Sequence, residues 1–305
     1  MGRRDLAAGG MTILVTGATG TIGRQVVRQL SAAGADVRAM TRTPTAAKLP
    51  PGVDVVYGDF EQPESWSAAL AQVDRVYLFP FAYLAGSVPD DGFVTAAVRH
   101  GVNRFVVHSA AAAGFVAEAA PAGALQTHLE EERAAHRDVE VAVERTGAEW
   151  THIRPGLFAA NALGWAPVVR AGQPVRAPYG EAGYPWVHEA DVAEIAVRAL
   201  LSDQLVGQAC TITGPAKVSQ AEQVRAIADA IGREVPFEEL TPAQAVDQWR
   251  SEGCPEEYLE WRLAVLADAV DGTGRLPVTS TVHQVTGREP RTFAQWAVDH
   301  AEDFR

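Results

Sequence analysis

The chain has 305 residues, of which 47% are hydrophobic and 21% are charged, a composition typical of a globular protein with its own core. Its 38 acidic residues outnumber its 26 lysines and arginines. The net charge of −12, without a basic cluster, argues against binding nucleic acid through the bare surface. Two cysteines are too few for a disulfide framework, and no apolar run is long enough to span a bilayer. We therefore expect a cytoplasmic protein without a membrane partner.

Short apolar segments alternate with amphipathic segments over the first half of the chain. Segments rich in β-branched or aromatic residues, typical of strands, are 12–16, 36–40, 53–58, 74–79, 104–109 and 149–154. Helical patterns cover 21–33, 63–71, 91–100 and 128–146. This alternation predicts right-handed crossovers and a parallel sheet with helices on both faces, which is a Rossmann-type doubly wound α/β fold.

After residue 155 the pattern is less regular and richer in proline, glycine and aromatic residues. It predicts a helix at 191–201, a strand at 208–213, and helices at 219–232, 241–253 and 256–270. We predict three parts: a disordered extension (1–10), a Rossmann core (11–155), and a smaller C-terminal α/β lobe for the substrate (156–305). Within that lobe, 186–213 is expected to return to the core.

Three glycines follow the first predicted strand in the stretch VTGATGTIG. Gly17 can take the positive φ of a tight turn, Gly20 lets the backbone approach a pyrophosphate, and Gly23 lets the next helix pack closely. Thr19 and Thr21 can add hydroxyl donors. Because the triplet stands between a strand and a helix, it predicts a dinucleotide site at the helix N-terminus. A purely structural turn is the alternative.

The end of the second strand indicates which dinucleotide is bound. An NAD site usually has an acidic residue there to hold the ribose 2′-hydroxyl, but this strand ends in VRAMTRTP. Arg42, with Thr41 and Thr43 beside it, stands where a 2′-phosphate would lie. The pattern therefore favours NADP(H), and a solvated surface arginine is the alternative.

Two further strand ends are expected to contact the cofactor. Asp59 and Phe60, after the third strand, would flank the adenine. The stretch LFPF, which contains Phe79 and Pro80, would line the nicotinamide side. Both placements follow from the predicted strand order.

The chain resembles the NmrA-like branch of the atypical short-chain dehydrogenase/reductases. The resemblance rests on VTGATGTIG, TRTP, GDF, FVVHSA, TGAEWTHIRPGLFAAN, WVHEADVA and TGREPRTFAQWAVDHAEDF, which together span most of the chain. It implies NADPH-dependent reduction of a quinone, enone, imine or related small molecule. The family also has members that bind NADP without turnover and act as redox-sensing regulators.

The chain departs from the family pattern at two catalytic positions, a tyrosine and a lysine. Related enzymes use a Ser with Tyr-x-x-x-Lys, and Ser109 matches the Ser position. The Lys position falls near His136 and the Tyr position near Glu132. The usual proton relay is therefore not expected in this chain.

Other side chains are candidates for moving a proton. His136 can donate to a developing alkoxide, and Glu140, one helical turn later, can orient it. The alternatives are a solvated helix histidine and a surface acid. His128 and Tyr83 are further candidates by chemistry. His188 is expected to be structural, with Asp191 capping the following helix or pairing locally. The scattered histidines lack ligand spacing, so we predict no metal site.

Further residues are predicted to bind the cofactor or to line the substrate pocket. Ile22, Ser109 and Pro155 complete the cofactor-binding set. Aromatic residues in the loops and the C-terminal lobe form a predicted pocket for a flat, apolar substrate: Phe81, Tyr83, Phe115, Phe158, Trp165, Tyr184 and Trp186. For any one of these rings, a place in the core is the alternative.

These observations predict an NADPH-dependent reductase of a small apolar or aromatic carbonyl, enone, imine or quinone, acting as a monomer or homodimer. Two alternatives remain. One is an NADP-binding, redox-sensing regulator without turnover, and the other is a non-redox enzyme catalysing cyclisation, dehydration or isomerisation.

Overall fold

The computed structural model describes residues 10–79, 92–117, 123–270 and 275–305. They form two compact units. The first unit extends to Ser109 and includes Ala135–Ile153 and Ala193–Cys210. The second unit consists of Ala110–Ala134, Arg154–Val192 and Thr211–Arg305. None of the described helices is both long and apolar enough to cross a membrane.

Eleven strands occur in the described part of the chain. They are β1 Thr12–Val15, β2 Asp36–Thr41, β3 Asp54–Tyr57, β4 Arg75–Leu78, β5 Arg104–His108, β6 Glu149–Pro155, β7 Val175–Pro178, β8 Gly183–Tyr184, β9 Gln208–Ile212, β10 Val218–Ser219 and β11 Phe237–Leu240.

Twelve α-helices accompany them among the described residues. They are α1 Thr21–Ala32, α2 Trp66–Leu70, α3 Phe93–Arg99, α4 Ala124–Glu144, α5 Ala166–Arg170, α6 Glu189–Leu201, α7 Gln220–Ile231, α8 Pro242–Ser251, α9 Glu256–Asp268, α10 Thr281–Thr286, α11 Phe293–Asp299 and α12 Ala301–Phe304.

A seven-stranded sheet is the main framework of the fold. Its strand order is β3-β2-β1-β4-β5-β6-β9, and the pairings that join β1 to β6 are parallel. The predicted Rossmann-type fold is therefore confirmed. The order reverses between β1 and β4, and a doubly wound sheet binds its ligand outside the carboxyl ends of the strands at that switch point.

The core of the first unit explains why the central strands β1, β4 and β5 are mainly apolar. Residues of β1, β4 and β5 pack with Phe93 of α3 and Val139 of α4 in one buried cluster. Because helices cover the sheet, both sets of alternating side chains are buried, which suits continuous apolar strands.

Small strand pairs and helices build the second unit. Strand β7 pairs with β11 in parallel, and β8 pairs with β10 antiparallel. Trp296, Phe293 and Phe304 pack with Val224 and Ile227 in its main core. Helices α7, α8 and α11 each begin with a capping box, in which the N-cap hydroxyl and the third helical residue satisfy each other's backbone N–H groups.

Candidate functional site

The glycine-rich turn after β1 has little space for side chains. Gly17 has a φ of +60°, and a Cβ there would lie 3.0 Å from the Cβ of Phe79. The Gly20 N–H donates to the Gly17 carbonyl oxygen at 3.0 Å. A Cβ on Gly23 would lie only 2.1 Å from that same oxygen. The chain therefore turns tightly enough for α1 to pack directly on the turn.

The N-terminus of α1 can bind an anion. Gly20 is its N-cap, no described side chain caps the helix, and its first turn contains no acid. Thr21 is exposed and Thr19 half-buried, whereas the Ile22 side chain is buried, which leaves only its backbone for a ligand. Uncapped N–H groups and the helix dipole favour a phosphate at this position. The cradle thus fits the pyrophosphate of a dinucleotide.

Arg42 lies in the turn that follows β2. Its side chain is exposed, and no described acid forms an ion pair with it. The turn is held by the Thr43 N–H, which donates to the hydroxyl of Thr41 at 3.3 Å. The guanidinium is therefore available to a ligand phosphate.

Asp59 and Phe60 follow β3 in a well-bonded turn. The Asp59 carboxylate accepts the N–H of Glu61 at 3.0 Å, and its carbonyl accepts the Trp66 indole N–H at 2.8 Å. The Phe60 ring packs edge-on against Phe93, with 4.9 Å between centroids. The structure places Phe60 partly in the core, and its predicted contact with adenine stays a prediction.

At the carboxyl ends of β4 and β5, the structure brings together residues that the sequence did not single out. The Tyr77 hydroxyl lies 2.7 Å from His108 Nδ1, and both side chains are buried. Burial raises the pKa of Tyr77. It also lowers the pKa of His108 to about 3, with a further contribution from His136. Both groups are therefore neutral near pH 7. The Phe79 ring lies 4.9 Å from the His108 ring.

Ser109 directly follows β5 and is buried. Its backbone N–H donates to the carbonyl of Ile153 at 2.7 Å, and its hydroxyl donates to Oε1 of Glu140 at 2.6 Å. Arg137 donates to the other oxygen of Glu140, which is fully buried. The alternative of a surface acid at Glu140 is therefore wrong. This carboxylate accepts hydrogen bonds from Ser109 and Arg137.

His136 is on α4 and is only 8% exposed, so the alternative of a solvated helix histidine is wrong. Among the described residues, its buried Nδ1 has no hydrogen-bond partner. Burial lowers the pKa of His136, and the nearby charge of Glu140 partly opposes this effect. Such a buried, unpartnered nitrogen next to the Ser109 cluster is a candidate for proton transfer.

His128 is on the same helix but belongs to the second unit. Its ring stacks on that of Trp261, with 3.9 Å between centroids and 6° between planes. Burial lowers the pKa of His128. This contact holds the imidazole against an indole, and the predicted catalytic role of His128 stays a prediction.

The other predicted aromatic residues are mostly packed into the second unit. Tyr184 is buried and its hydroxyl donates to the carbonyl of Val265 at 2.5 Å, while the Trp186 indole donates to that of Val218 at 2.8 Å. Burial raises the pKa of Tyr184. Three other rings are half-buried: Phe115, Phe158 and Trp165.

Pro155 is buried at the end of β6. Three predicted site residues lie outside the described residues: Pro80, Phe81 and Tyr83.

The start of α6 corrects one prediction. His188 is structural there, since its Nδ1 accepts the N–H of Ala190 at 3.1 Å. Asp191, however, does not pair locally. Its carboxylate is buried and bonds to the Arg288 guanidinium at 2.5 Å, to the Arg291 N–H at 2.7 Å and to the Arg291 guanidinium. Its partners are about one hundred residues away in sequence, a distance that no local pattern reveals.

One group of potential metal ligands occurs in the described part of the chain. Ligand atoms of Glu140, Glu144 and His152 lie within 4.8 Å of one another. However, Arg137 forms ion pairs with both carboxylates. A guanidinium at this position supplies the positive charge that a cation would bring, so the group does not need a metal.

Comparison with known proteins agrees with this geometry. Residues 17–203 match the NAD(P)H-binding family. The chain is 34% identical to the (4-alkanoyl-5-oxo-2,5-dihydrofuran-3-yl)methyl phosphate reductase of Streptomyces griseus, covering 96% of this chain and 99% of that protein. It is also 34% identical to the NAD(P)H azoreductase of Xenophilus azovorans, with the same coverage.

A solved structure shows the same fold. Triphenylmethane reductase of a Citrobacter species, complexed with NADP(H), is 20% identical to this chain and superposes with a TM-score of 0.72. The match covers 95% of this chain and 99% of that one. The chain belongs to the NAD(P)H-binding family, in agreement with the NADPH-dependent reductases that the NmrA-like resemblance implied. It is an NAD(P)H-dependent oxidoreductase.

Proposed function

We propose that this protein uses NADPH to reduce a small, flat, conjugated acceptor, such as an enone, quinone, imine or aromatic carbonyl. The observation that carries the cofactor choice is the exposed Arg42 guanidinium after β2, at the position where an NAD site has an acid. The glycine turn and the uncapped N-terminus of α1 would hold the pyrophosphate.

The names of the relatives support the substrate class. They are a (4-alkanoyl-5-oxo-2,5-dihydrofuran-3-yl)methyl phosphate reductase, an NAD(P)H azoreductase and a triphenylmethane reductase described as acting on triphenylmethane dyes. These compounds share an unsaturated system that can accept a hydride. When bound, the nicotinamide supplies that hydride, and the protein supplies position and electrostatics.

We assign the proton-transfer role to His136. It is buried within the first unit, and its Nδ1 has no hydrogen-bond partner among the residues described. A positive charge on His136 contributes to the lowered pKa of His108, so the two imidazoles interact. Ser109 is less suited to donate a proton, because its own proton is bonded to Glu140. The Tyr77–His108 pair, neutral near pH 7, would form an uncharged wall beside Phe79.

NADPH consumption tests the proposal. We expect absorbance at 340 nm to fall when purified protein and NADPH are mixed with at least one member of a panel that contains a quinone, an enone, an imine and an azo dye. NADPH binding without oxidation by any of them would instead favour a redox-sensing regulator. Product formation without NADPH loss would favour a non-redox enzyme.

A further inference from the structure

The hydrogen bond between Ser109 and Glu140 has only one possible direction. An ionised carboxylate accepts hydrogen bonds and has no proton to donate, whereas a serine hydroxyl has one proton and two lone pairs. The oxygens are 2.6 Å apart, and the two side chains are 2% and 0% exposed. Ser109 therefore donates its only proton to Glu140. It can offer a ligand only its lone pairs.

Arg137 fixes this direction. Its guanidinium bonds to Oε2 of Glu140 while Ser109 bonds to Oε1. An opposite charge in direct contact favours the ionised form of a carboxylate. Ser109 and Arg137 thus each donate a hydrogen bond to one oxygen of Glu140, and all three residues belong to the first unit.

The position of Ser109 points to the ligand. It follows β5, which neighbours β4 at the switch point of the sheet. In a doubly wound sheet, the first half binds one mononucleotide and the half that begins after the reversal binds the other. Because the glycine turn and Arg42 are in the first half, Ser109 is on the nicotinamide riboside side.

We propose that Ser109 binds NADPH as a hydrogen-bond acceptor, taking a hydrogen bond from a hydroxyl or amide N–H of the nicotinamide riboside half. Glu140 is the positioning residue that sets this polarity. The inference rests on the proposed use of NADPH and deepens it. It differs from the role that the family resemblance implies for this serine, which is part of a proton relay with Tyr and Lys.

Glu140→Gln is the sharpest test, because Arg137 controls the orientation of the new carboxamide. Arg137 can only donate, so the Gln oxygen must face it and the NH₂ group must face Ser109. Ser109 then accepts from the Gln and turns its proton toward the ligand. The Ser109 hydroxyl and the donor group of NADPH would then both point a proton at each other. We therefore expect the Kd for NADPH, measured by calorimetry, to rise about tenfold.

A fragment of the cofactor separates this effect from general damage. Adenosine 2′,5′-bisphosphate lacks the nicotinamide riboside half, so its Kd should stay within twofold of wild type in Glu140→Gln. Glu144→Gln is the matched control. Glu144 also pairs with Arg137, at 3.4 Å, but Ser109 bonds to Glu140 instead. This variant should bind both ligands as wild type does.

Ser109→Ala provides a second, independent measurement. It should also raise the Kd for NADPH about tenfold, and adding Glu140→Gln to it should cause no further loss. If Glu140→Gln does not fold, Ser109→Ala still tests whether Ser109 contacts NADPH, and wild-type affinity in that variant overturns the inference. Wild-type NADPH affinity in the folded variants, or an equal loss for the bisphosphate, would overturn the inference. Failure of the wild-type protein to bind NADPH would instead overturn the proposed function.

Discussion

A single guanidinium is expected to decide between the two cofactors. Arg42→Ala should weaken NADPH binding about ten- to hundredfold, because a charge-assisted bond to phosphate contributes about 1.5–3 kcal/mol. NADH has no 2′-phosphate, and its Kd should change less than twofold. Titration of both cofactors by calorimetry measures this difference.

Arg28→Ala is the control for the loss of charge. Arg28 is exposed on α1, and its removal changes the net charge by the same amount as the removal of Arg42. We expect this variant to bind both cofactors normally. Equal weakening of NADPH and NADH by Arg42→Ala would remove the assigned 2′-phosphate role.

The proton-transfer role of His136 predicts a pH dependence with a definite sign. Burial lowers the pKa of His136, so the imidazolium form becomes populated only below the ordinary value of about 6.5. The value of kcat/KM should therefore rise as pH falls from 8 toward 6. His136→Gln should reduce turnover about a hundredfold and flatten this profile, with the Kd for NADPH unchanged.

His100→Gln is the matched control, because His100 is an exposed histidine on the same unit. It should leave both the rate and the pH profile unchanged. A His136→Gln variant with wild-type kinetics at every pH would show that the buried imidazole takes no part in the reaction.

At the scale of single residues, the sequence singled out the residues whose position in the structure depends on local chain geometry. The three glycines were recognised because a strand, a tight turn and a helix follow one another within a few residues. Tyr77 and His108 were missed because each is part of an apolar strand and their contact joins two strands. Ser109 was predicted as the last residue of its strand and directly follows it in the structure, but the bond to Glu140 spans 31 positions and depends on packing.

At the scale of the elements, the junction of β1 and α1 is the least tolerant of change. Gly23→Ala would place a Cβ 2.1 Å from the Gly17 carbonyl oxygen, a backbone atom that cannot move without opening the turn. We expect a loss of about 1–3 kcal/mol in the free energy of unfolding, measured in urea, and at least a tenfold loss in affinity for NADPH.

Gly164→Ala is the comparison for this prediction. A Cβ at Gly164 would meet no atom within 4 Å, and the residue is not in the left-handed region of φ. Stability and cofactor affinity should both stay within error of wild type. Similar behaviour of the two variants would show that the turn is less constrained than its geometry indicates.

The main elements were predicted well wherever hydrophobic periodicity was strong. Strands β1 to β6 and helices α1 and α6 differ from their predicted bounds by one or two residues. Helix α4 begins at Ala124 instead of 128, since its first turn has no distinct polar start signal. The pairings β7–β11 and β8–β10 were not predicted, because these strands have only two to four residues and their partners are distant in sequence.

At the scale of the whole molecule, buried histidines make stability depend on pH. The pKa of His108 is about 3 in the folded state, whereas an unfolded histidine has a pKa near 6.5. Between these values the unfolded chain binds more protons, so stability falls as pH falls. We expect this histidine to contribute a slope of up to about 1.4 kcal/mol per pH unit between pH 6.5 and 3.

His108→Asn should reduce this slope in urea unfolding measurements made at several pH values. Its side-chain amide can still form a hydrogen bond with Tyr77, as acceptor or as donor, but it does not titrate. His100→Gln should keep the wild-type slope. An unchanged slope in His108→Asn would mean that this imidazole is not the group responsible.

The proposed anchoring of the diphosphate and the proposed recognition of the 2′-phosphate belong to separate segments of chain, the turn at 17–23 and the turn at 42–43. With the roles proposed for them, cofactor preference can be redesigned without loss of overall affinity. A small library confined to Arg42 and Thr43, with an acid introduced at one of them, is the economical starting point for an NADH-driven variant. Such a variant would suit industrial recycling systems in which the cheaper coenzyme is regenerated.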